Sequence, residues 1–254
     1  MHSRLKQFLY PPDHLCSEPS RSSRDNQFGF KKGVGTESCV FLLKESIRSY
    51  ICKDSYVHCA FLDASKAFDR VNHRKLFEKL SEKGVPLYLL SLLRSWYSNQ
   101  SMYVKWNNFV SEKFEITNGV RQGSLISPLL FTVYMEALSD ALNVCNVGIY
   151  VGFQQLSHIL YADDLVLLSP SLFGLRTLLQ ACETFAFKHD IIFNSKKSFC
   201  MRFCARPLDF KPGCIFLNGL PLQWTESVKY LGVSLSTDLG DKAEIESQVR
   251  NFLP

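Results

Sequence analysis

The sequence predicts an α+β fold in which several helices accompany a mostly antiparallel sheet. Two segments, "ESCVFLLKESIRSYI" and "LFGLRTLLQACETFAFKH", repeat apolar residues at helical spacing. Short runs rich in β-branched and aromatic residues, such as "YVHCAFLD" and "KSFCMRFC", indicate strands. Turn signals at Asn107-Asn108 and Asn218-Gly219 join neighbouring runs as hairpins, which favours antiparallel pairing.

Composition is typical of a globular protein. The chain has 254 residues, 46% hydrophobic and 21% charged, which suits one large domain or two packed subdomains. A net charge of +5 is too small to indicate a nucleic-acid partner by itself. The longest apolar stretch, "VPLYLLSLL", is too short to cross a membrane and runs into Arg94, so no membrane partner is predicted.

In the first half, Thr36 is the predicted N-cap of a helix through "ESCVFLLKESIRSYI". The continuous apolar run "VHCAFLD" predicts a buried strand that ends at Asp63. The segment "HRKLFEKLSEKG" predicts a helix closed by Gly84, and a further helix begins near Pro86. A hairpin about Asn107-Asn108 follows.

In the second half, "ISPLLFTVYMEALSDAL" predicts a helix, and the runs "SHILY" and "LVLLS" predict two strands. After the helix "LFGLRTLLQACETFAFKH", three strands are predicted to end the chain. These are "KSFCMRFC", "CIFLNGLPLQW" with its Asn218-Gly219 turn, and "VKYLGVSLS".

Adjacent acids lie between the two apolar runs of "HILYADDLVLLS". A hairpin joined at Ala162-Asp163 or at Asp163-Asp164 would present both carboxylates, although aspartate is also a common turn residue without other function. Asp63 ends another buried strand, and carboxylates from two core strands can share a pair of divalent cations. The alternative for Asp63 is a helix N-cap before "ASKAFDRV".

A polar, Gly-bounded loop, "NGVRQGSLISPLLF", leads directly into a helix N-terminus. Backbone N–H groups at such a position suit a phosphate or a sugar edge. Arg121 and Gln122 supply donors there, and Gly123 permits close approach. Taken alone, the loop is equally a plain connection between elements.

Together these segments resemble the reverse transcriptases of non-LTR (LINE-type) retrotransposons. The resemblance covers about Gln27 to Leu235, and its six motifs occur in the family's order. They are "QFGFKKGVGTES" (fingers motif), "FLDASKAFDRV" (motif A), "GVRQGSLISPLLF" (motif B), "YADDLVLL" (motif C), "FNSKKSFCMRF" (motif D) and "YLGVSL" (motif E, the primer grip).

The resemblance implies a right-hand polymerase fold with a palm sheet and partial helical fingers. It implies RNA-directed DNA polymerase activity, adding dNTPs to the 3′-OH of a DNA primer on an RNA template. In this family two Mg²⁺ ions, for which Mn²⁺ can substitute, would be held by Asp63 and Asp163, with Asp164 in a lesser metal role.

The resemblance also assigns the nucleotide-binding residues. Phe68 would be the steric gate, whose ring leaves no room for a ribose 2′-OH, although a plain core aromatic is the alternative. Further nucleotide contacts would come from five positions: Ala64, Gln122, Gly123, Lys31 and Lys32.

Motif D and motif E supply the remaining assignments. Lys197 would protonate the leaving pyrophosphate as general acid, although the adjacent Lys196 is the alternative. Tyr230, Leu231 and Gly232 would support the primer end. Asp69 is expected to hold motif A in place rather than to bind metal.

The expected organisation is a poorly structured segment over residues 1–26 and a reverse transcriptase domain over 27–254. Within the domain, fingers are expected at about 27–55 and 72–117, palm at about 56–71 and 118–238, and the start of the thumb at about 239–254. The N-terminal fingers block and most of the thumb are thus expected to be missing. An idle remnant or nucleic-acid-binding scaffold is therefore one alternative, and an RNA-dependent RNA polymerase is another. The resemblance implies an intracellular protein of the cytoplasm and nucleus and leaves its oligomeric state open.

Overall fold

The computed structural model describes residues 26–30, 33–205 and 212–240. The helices are α1 (Thr36–Ile51), α2 (Ala67–Arg70), α3 (His73–Glu82), α4 (Leu87–Ser98), α5 (Ser127–Val144) and α6 (Leu172–His189). The strands are β1 (Val57–Asp63), β2 (Ser101–Met102), β3 (Lys105–Trp106), β4 (Phe109–Val110), β5 (Phe114–Glu115), β6 (Ile149–Val151), β7 (Gln154–Leu156), β8 (His158–Tyr161), β9 (Asp164–Ser169), β10 (Phe199–Phe203), β11 (Phe216–Leu217), β12 (Leu220–Pro221), β13 (Gln223–Trp224), β14 (Ser227–Tyr230) and β15 (Val233–Ser236).

The described chain divides into two compact units. The helical unit comprises residues 66–135 and 189–191. The sheet unit comprises the described residues within 20–65, 136–188 and 192–254. Each unit is built from segments that are distant in sequence.

The sheet unit is built on a five-stranded sheet of order β13-β10-β1-β9-β8. Strand β1 lies at its centre and pairs antiparallel with both β9 and β10. Its first six residues are buried, as the continuous apolar run predicts. Strand β8 also pairs antiparallel with β9, while only the short β13 adds in parallel. The predicted α+β class with a mostly antiparallel sheet is therefore confirmed.

One face of this sheet forms a core with helix α1. The face presents alternate residues of β1 and β9, including Cys59, Phe61 and Val166, to the buried stripe of α1. That stripe includes Leu43 and Ile47, both fully buried. The same core takes in residues of the β14–β15 hairpin. At about 25 cal/mol per Å² of apolar area, this packing is the main force that orders the sheet.

Two local predictions are wrong. Helix α1 begins at Thr36 with Gly35 as its N-cap, and no side chain caps it. The segment "VKYLGVSLS" forms the antiparallel hairpin β14–β15 rather than one strand. The reason is its turn, since Leu231 (φ 48) and Gly232 (φ 86) are both left-handed, as a type I′ hairpin turn requires.

In the helical unit, helices α3 and α4 agree with the predicted segments. Asn72 caps α3 by accepting a hydrogen bond from the Lys75 N–H at 3.2 Å. Residues Ser101–Glu115 form a hairpin arm, in which β2 pairs with β5 and β3 pairs with β4. Its turn lies at Asn107-Asn108 as predicted, with Asn107 left-handed at φ 52.

None of the helices in residues 26–30, 33–205 and 212–240 is both long enough and apolar enough to cross a membrane.

Candidate active site

The "YADD" turn connects β8 to β9. Tyr161 lies opposite Asp164 in the ladder, so the two turn residues are Ala162 and Asp163. This decides between the two turn positions that the sequence left open. Ala162 is left-handed at φ 57, a conformation that costs a residue with a Cβ about 1–2 kcal/mol. The surrounding contacts must therefore hold the turn in this shape.

The acids of β1 and β9 meet across the central ladder. Asp63 lies directly opposite Asp164, so their side chains leave the same face of the sheet. Asp163 precedes Asp164 in the adjoining turn. Three carboxylates from segments 100 residues apart, since 163 − 63 = 100, are thus gathered at one end of the sheet.

This crowding shows in the proton affinity of the acids. Burial, followed by the neighbouring charges of Asp163 and Asp63, raises the pKa of Asp164 to about 6. Burial and the charge of Asp63 also raise the pKa of Asp163. Asp164 keeps contact with solvent, but the direction of its shift follows from carboxylate crowding in any case. The cluster therefore favours either a bound proton or a bound cation.

The donor set fits a hard divalent cation, because Mg²⁺ prefers carboxylate oxygens. Within the described part of the chain, no three His, Cys, Asp or Glu side chains form a group that could hold a metal ion by themselves. Magnesium in nucleotide-processing sites is usually held by one or two carboxylates together with substrate phosphates and water. One or two of these acids, completed by phosphate oxygens and water, would make such a partial shell.

A segment of the fingers motif lies against the "YADD" turn. The Phe28 N–H donates to the Leu160 carbonyl at 2.8 Å, and the Leu160 N–H donates to the Asn26 carbonyl at 2.9 Å. This brings Gly29 so close that a Cβ there would lie 2.4 Å from the Ala162 nitrogen. Sequence reasoning noted "QFGF" but missed Gly29, whose only signal was a glycine between two aromatic residues.

The motif D loop is anchored to the backbone of Asp63. The Asp63 N–H donates to Ser198 Oγ at 3.2 Å, and that hydroxyl donates to the Asn194 carbonyl at 2.8 Å. In return, the Asn194 N–H donates to the Asp63 carbonyl at 2.9 Å. Ser198 is buried, and sequence reasoning missed it because a serine inside a charged loop carries no distinctive pattern.

The four candidate lysines form two pairs, one within and one outside the described residues. Lys196 and Lys197 are both exposed on the loop that Asn194 organises, and their backbone N–H groups donate to Asn194. The loop is thus fixed next to Asp63, while the choice between the two lysines stays open. Lys31 and Lys32 lie outside the described residues.

Two further predicted site residues in the sheet unit have definite surroundings. Ala64, next to Asp63, is buried and bridges Phe193. Tyr230 is only 4% exposed, packs its ring edge-on against Phe61 at 5.5 Å and lies 3.4 Å from Cys39 Sγ through its hydroxyl. The Tyr230 side chain therefore fixes the β14–β15 hairpin to the core. In the turn after it, Leu231 is half-buried and Gly232 is exposed.

Motif B and motif A meet within the helical unit. Phe68 is half-buried and its ring stacks on buried Phe131, with centroids 4.2 Å apart. The Val120 N–H donates to the Phe68 carbonyl at 2.8 Å. Phe68 thus has a packing partner that holds its ring in one orientation.

The motif B loop itself is exposed beyond these contacts. Gln122 Nε2 donates to Asp69 Oδ1 at 3.2 Å, so this bond joins motif B to motif A. Gly123 has φ 82 and open space around its Cα, so a ligand could approach its backbone. Gly119 is different, because a Cβ there would lie 2.9 Å from the Asp69 carbonyl oxygen.

A buried histidine begins β8, the strand that enters the "YADD" turn. His158 is fully buried, with Nε2 2.6 Å from Ser139 Oγ and Nδ1 2.8 Å from Ser157 Oγ. Burial lowers the pKa of His158 to about 3, so the ring is neutral at ordinary pH. The two hydroxyls satisfy both ring nitrogens without any charge.

The antiparallel sheet, with acids at the end of β1 and in the β8–β9 turn, is the palm of a right-hand polymerase. The fold is similar to that of an apo telomerase from Candida tropicalis truncated from its C-terminal domain. The two chains superpose with a TM-score of 0.62 at 12% identity, over 86% of this chain and 41% of the telomerase chain. Residues 2–235 match the family "Reverse transcriptase (RNA-dependent DNA polymerase)", and the chain belongs to this family. Members of the family generally use divalent metal ions.

The curated relatives come from mobile elements. A Pol polyprotein from type-1 retrotransposable element R2 of Nasonia vitripennis is 33% identical over 63% of this chain. An RNA-directed DNA polymerase from the mobile element jockey of Drosophila funebris is 29% identical over 92% of this chain. The chain spans 15% of the first relative and 26% of the second. These matches identify it as a reverse transcriptase domain of the non-LTR type.

Proposed function

We propose that this chain is the RNA-directed DNA polymerase domain of a non-LTR retrotransposon. It would add dNTPs to the 3′-OH of a DNA primer on an RNA template. The observation that carries the proposal is the ladder position of Asp63 opposite Asp164, with Asp163 in the adjoining turn. Carboxylates in this arrangement suit phosphoryl transfer, in which catalysis is positioning and charge neutralisation.

The acids are the proposed holders of two Mg²⁺ ions, with Mn²⁺ as a substitute. Asp63 and Asp163 would bind both ions, and Asp164 would assist. When bound, the metals supply charge neutralisation for the phosphates and lower the pKa of the attacking hydroxyl. The protein's own part is to fix the acids, through the β1–β9 ladder and the backbone contacts of Asp63 with Ser198 and Asn194.

The nucleotide-binding roles are proposed from motif positions. Phe68 would exclude the ribose 2′-OH, and its stacking on Phe131 supports this because a steric gate must not rotate away. Ala64, Gln122 and Gly123 would contact the nucleotide. Gln122 would then exchange its hydrogen bond with Asp69 for one with the substrate. The basic pair Lys31 and Lys32 would contact the triphosphate as point charges.

Lys197 is the proposed general acid for the leaving pyrophosphate, with Lys196 as the alternative. The primer grip would be the turn at Leu231 and Gly232, for which buried Tyr230 supplies the anchor. In this proposal the fingers comprise about 27–55 and 72–117, the palm about 56–71 and 118–238, and the thumb begins at about 239. The site of action would be the cytoplasm and nucleus.

A primer-extension assay tests the proposal. The full chain is incubated with an RNA template, a labelled DNA primer, dNTPs and Mg²⁺, beside Asp163→Asn as the matched control. Asp163→Asn should extend no primer while melting at or above the wild-type temperature, because it removes one of three crowded carboxylates. If wild type extends the primer no further than the variant does, the polymerase proposal fails and this chain is an idle scaffold.

Exchanging NTPs for dNTPs in the same assay separates the DNA polymerase from an RNA polymerase. Wild type should incorporate dNTPs and reject NTPs, and Phe68→Ala should accept NTPs because the ring no longer occupies the space of the 2′-OH. Phe131→Leu, which removes the ring that stacks on Phe68, should relax this selection in the same direction but to a smaller extent. NTP use by the wild-type chain would contradict the proposed sugar selection.

A further inference from the structure

The β11–β12 hairpin is joined by two hydrogen bonds to the motif D loop, residues 193–198. The Asn218 side chain, at the hairpin turn, donates from Nδ2 to the Phe193 carbonyl at 3.0 Å. In the opposite direction, Ser195 Oγ donates to the Leu217 carbonyl at 2.9 Å. Both accepting carbonyls belong to buried residues, so the two bonds close the contact between loop and hairpin.

Between the two loop residues that contact the hairpin lies Asn194, which contacts the strand of the acids. Its N–H donates to the Asp63 carbonyl at 2.9 Å. Its side-chain and main-chain oxygens accept the N–H groups of Lys196 and Lys197 at 3.1 and 3.0 Å. The loop is thus held by β1 on one side and by the hairpin on the other, and it presents both lysines to solvent.

The hairpin is itself fixed to the rest of the sheet unit. Helix α6 holds it at two points, where Arg176 Nη2 donates to the Cys214 carbonyl at 3.0 Å and the Asn218 N–H donates to Glu183 Oε1. Arg176 and Glu183 lie two helical turns apart, since 183 − 176 = 7, and so share one side of the helix. Strand β13, which follows the hairpin, pairs with β10 at the sheet edge. The hairpin is therefore a firm support for the loop.

Asn218 has a plain explanation as a turn residue, because Asn-Gly is the favoured pair for a type I′ hairpin turn. Its side-chain bond goes beyond that requirement. A carbonyl can only accept, so the amide must present its nitrogen to Phe193. Phe193 is 1% exposed, and its carbonyl would lose this donor where water has little access. Removal of the side chain should therefore loosen the motif D loop.

We propose that Asn218 is a positioning residue for the polymerase reaction, whose side chain holds the motif D loop so that Lys197 or Lys196 meets the leaving pyrophosphate. This inference rests on the proposed function, in which one of these lysines is the general acid. Proton transfer requires the donor within hydrogen-bonding reach, and a displacement of about 1 Å is costly. Asn218 acts through the loop and touches no substrate. Ser195 supplies the second bond of the same anchor.

Amide hydrogen exchange over residues 193–198, measured without substrate or metal, reports the anchor directly. Asn218→Gly removes the side chain and keeps a residue that readily adopts the left-handed backbone. Exchange over these residues should become about fivefold faster, as expected from the loss of one net hydrogen bond, and Ser195→Ala should act in the same direction. Asn107→Gly is the matched control, because Asn107 has φ 52 in its turn and Asn218 has φ 53. The control should exchange like wild type over the loop.

Single-nucleotide extension kinetics test whether the anchor acts through the lysines. Asn218→Gly should lower kcat by about tenfold, a part of what a general acid contributes, and leave the KM for dNTP within about twofold. In a chain that carries Lys196→Ala and Lys197→Ala, the same change should cause no further loss of the residual rate, because the loop then holds no acid to position. Asn107→Gly should extend like wild type.

Wild-type exchange over the loop in Asn218→Gly would overturn the proposal. So would an equal fall in kcat with and without the two lysines, because Asn218 would then only stabilise the hairpin. Either result with Asp163-dependent extension intact refutes this inference and leaves the proposed function standing. If wild type extends no more primer than Asp163→Asn, the proposed function fails, and the exchange measurement by itself decides for or against the anchor.

Discussion

Replacing Gly29 by alanine should distort the "YADD" turn from a position 134 residues away in sequence, since 163 − 29 = 134. An added Cβ would lie 2.4 Å from the Ala162 nitrogen, 3.2 Å from the Ala162 Cα and 3.3 Å from the Tyr161 carbonyl carbon. Unstrained contacts to such atoms begin near 3.4 Å. One of the two segments must therefore move by about 1 Å, and both consist of backbone that cannot rotate aside.

The cost can be worked from this overlap. Overpacking of this kind typically destabilises a protein by about 1–3 kcal/mol. For a chain of this size that corresponds to a fall in Tm of about 2 to 12 °C. The activity should fall further, because a displacement of about 1 Å at a catalytic group can cost about 100-fold in rate. Thermal denaturation followed by circular dichroism and the primer-extension assay measure the two effects.

Gly213→Ala is the matched control. Its added Cβ would lie 3.5 Å from the end of the flexible Arg176 side chain, an ordinary contact. This variant should melt within about 1 °C of wild type or slightly above it, because alanine restricts the unfolded chain. Wild-type melting and wild-type extension by Gly29→Ala would refute the packing of the fingers motif against the turn.

Three further outcomes follow from the same geometry. The pKa of His158 is about 3 in the folded chain and 6.5 in the unfolded chain, so the free energy of unfolding should fall as the pH drops below 6.5, by about 2 kcal/mol at pH 5. In urea titrations, His158→Gln should lose less stability than wild type between pH 7.5 and pH 5. An equal loss in the two proteins would rule out this histidine as the cause. The raised pKa of Asp164 acts in the opposite direction, because its charge destabilises the folded chain. This destabilisation is absent below pH 3.8, grows as the pH rises, and is complete once the pH has passed about 6. Without metal, Asp164→Asn should stabilise the chain at pH 7.5 by about 1 kcal/mol after allowance for solvent screening, and should give no gain at pH 3.5; a gain that persists at pH 3.5 would contradict a charge effect. Ser198→Ala should cost about 1–3 kcal/mol, because it leaves the Asp63 N–H without an acceptor, and should lower kcat; Ser198→Thr, which keeps the hydroxyl, should retain more activity, and equal activity in the two variants would argue against the anchoring role.

Local patterns were sufficient for most of the elements. The apolar run that ends at Asp63 predicted a buried strand, and it lies at the centre of the sheet because a strand buried on both faces must be apolar throughout. The turn at Asn107-Asn108 was equally readable, since asparagine tolerates the left-handed backbone. By contrast, the segment with Leu231 resembles one continuous strand in sequence, because leucine is a poor signal for a left-handed turn residue.

The candidate site was predictable as a set of residues, but their contacts were not. The order of six motifs selected Asp63, Asp163 and Asp164, whose pairing the β1–β9 register then fixed. The roles assigned to them, and to Phe68 and Lys197, stay predictions that the assays above address. Neither Gly29 nor Ser198 stood out, because each matters only through a partner far away in sequence.

Local sequence patterns thus specify the fold class and most of the elements, because periodicity and turn chemistry act over a few neighbouring residues. Long-range pairing settles the rest: the "YADD" turn is Ala162-Asp163, Asp164 rather than Asp163 stands opposite Asp63, and Gly29 lies against the turn. These depend on strand register. Register decides which residues of β1 and β9 stand opposite each other, and a shift by one residue would turn every acid to the other side.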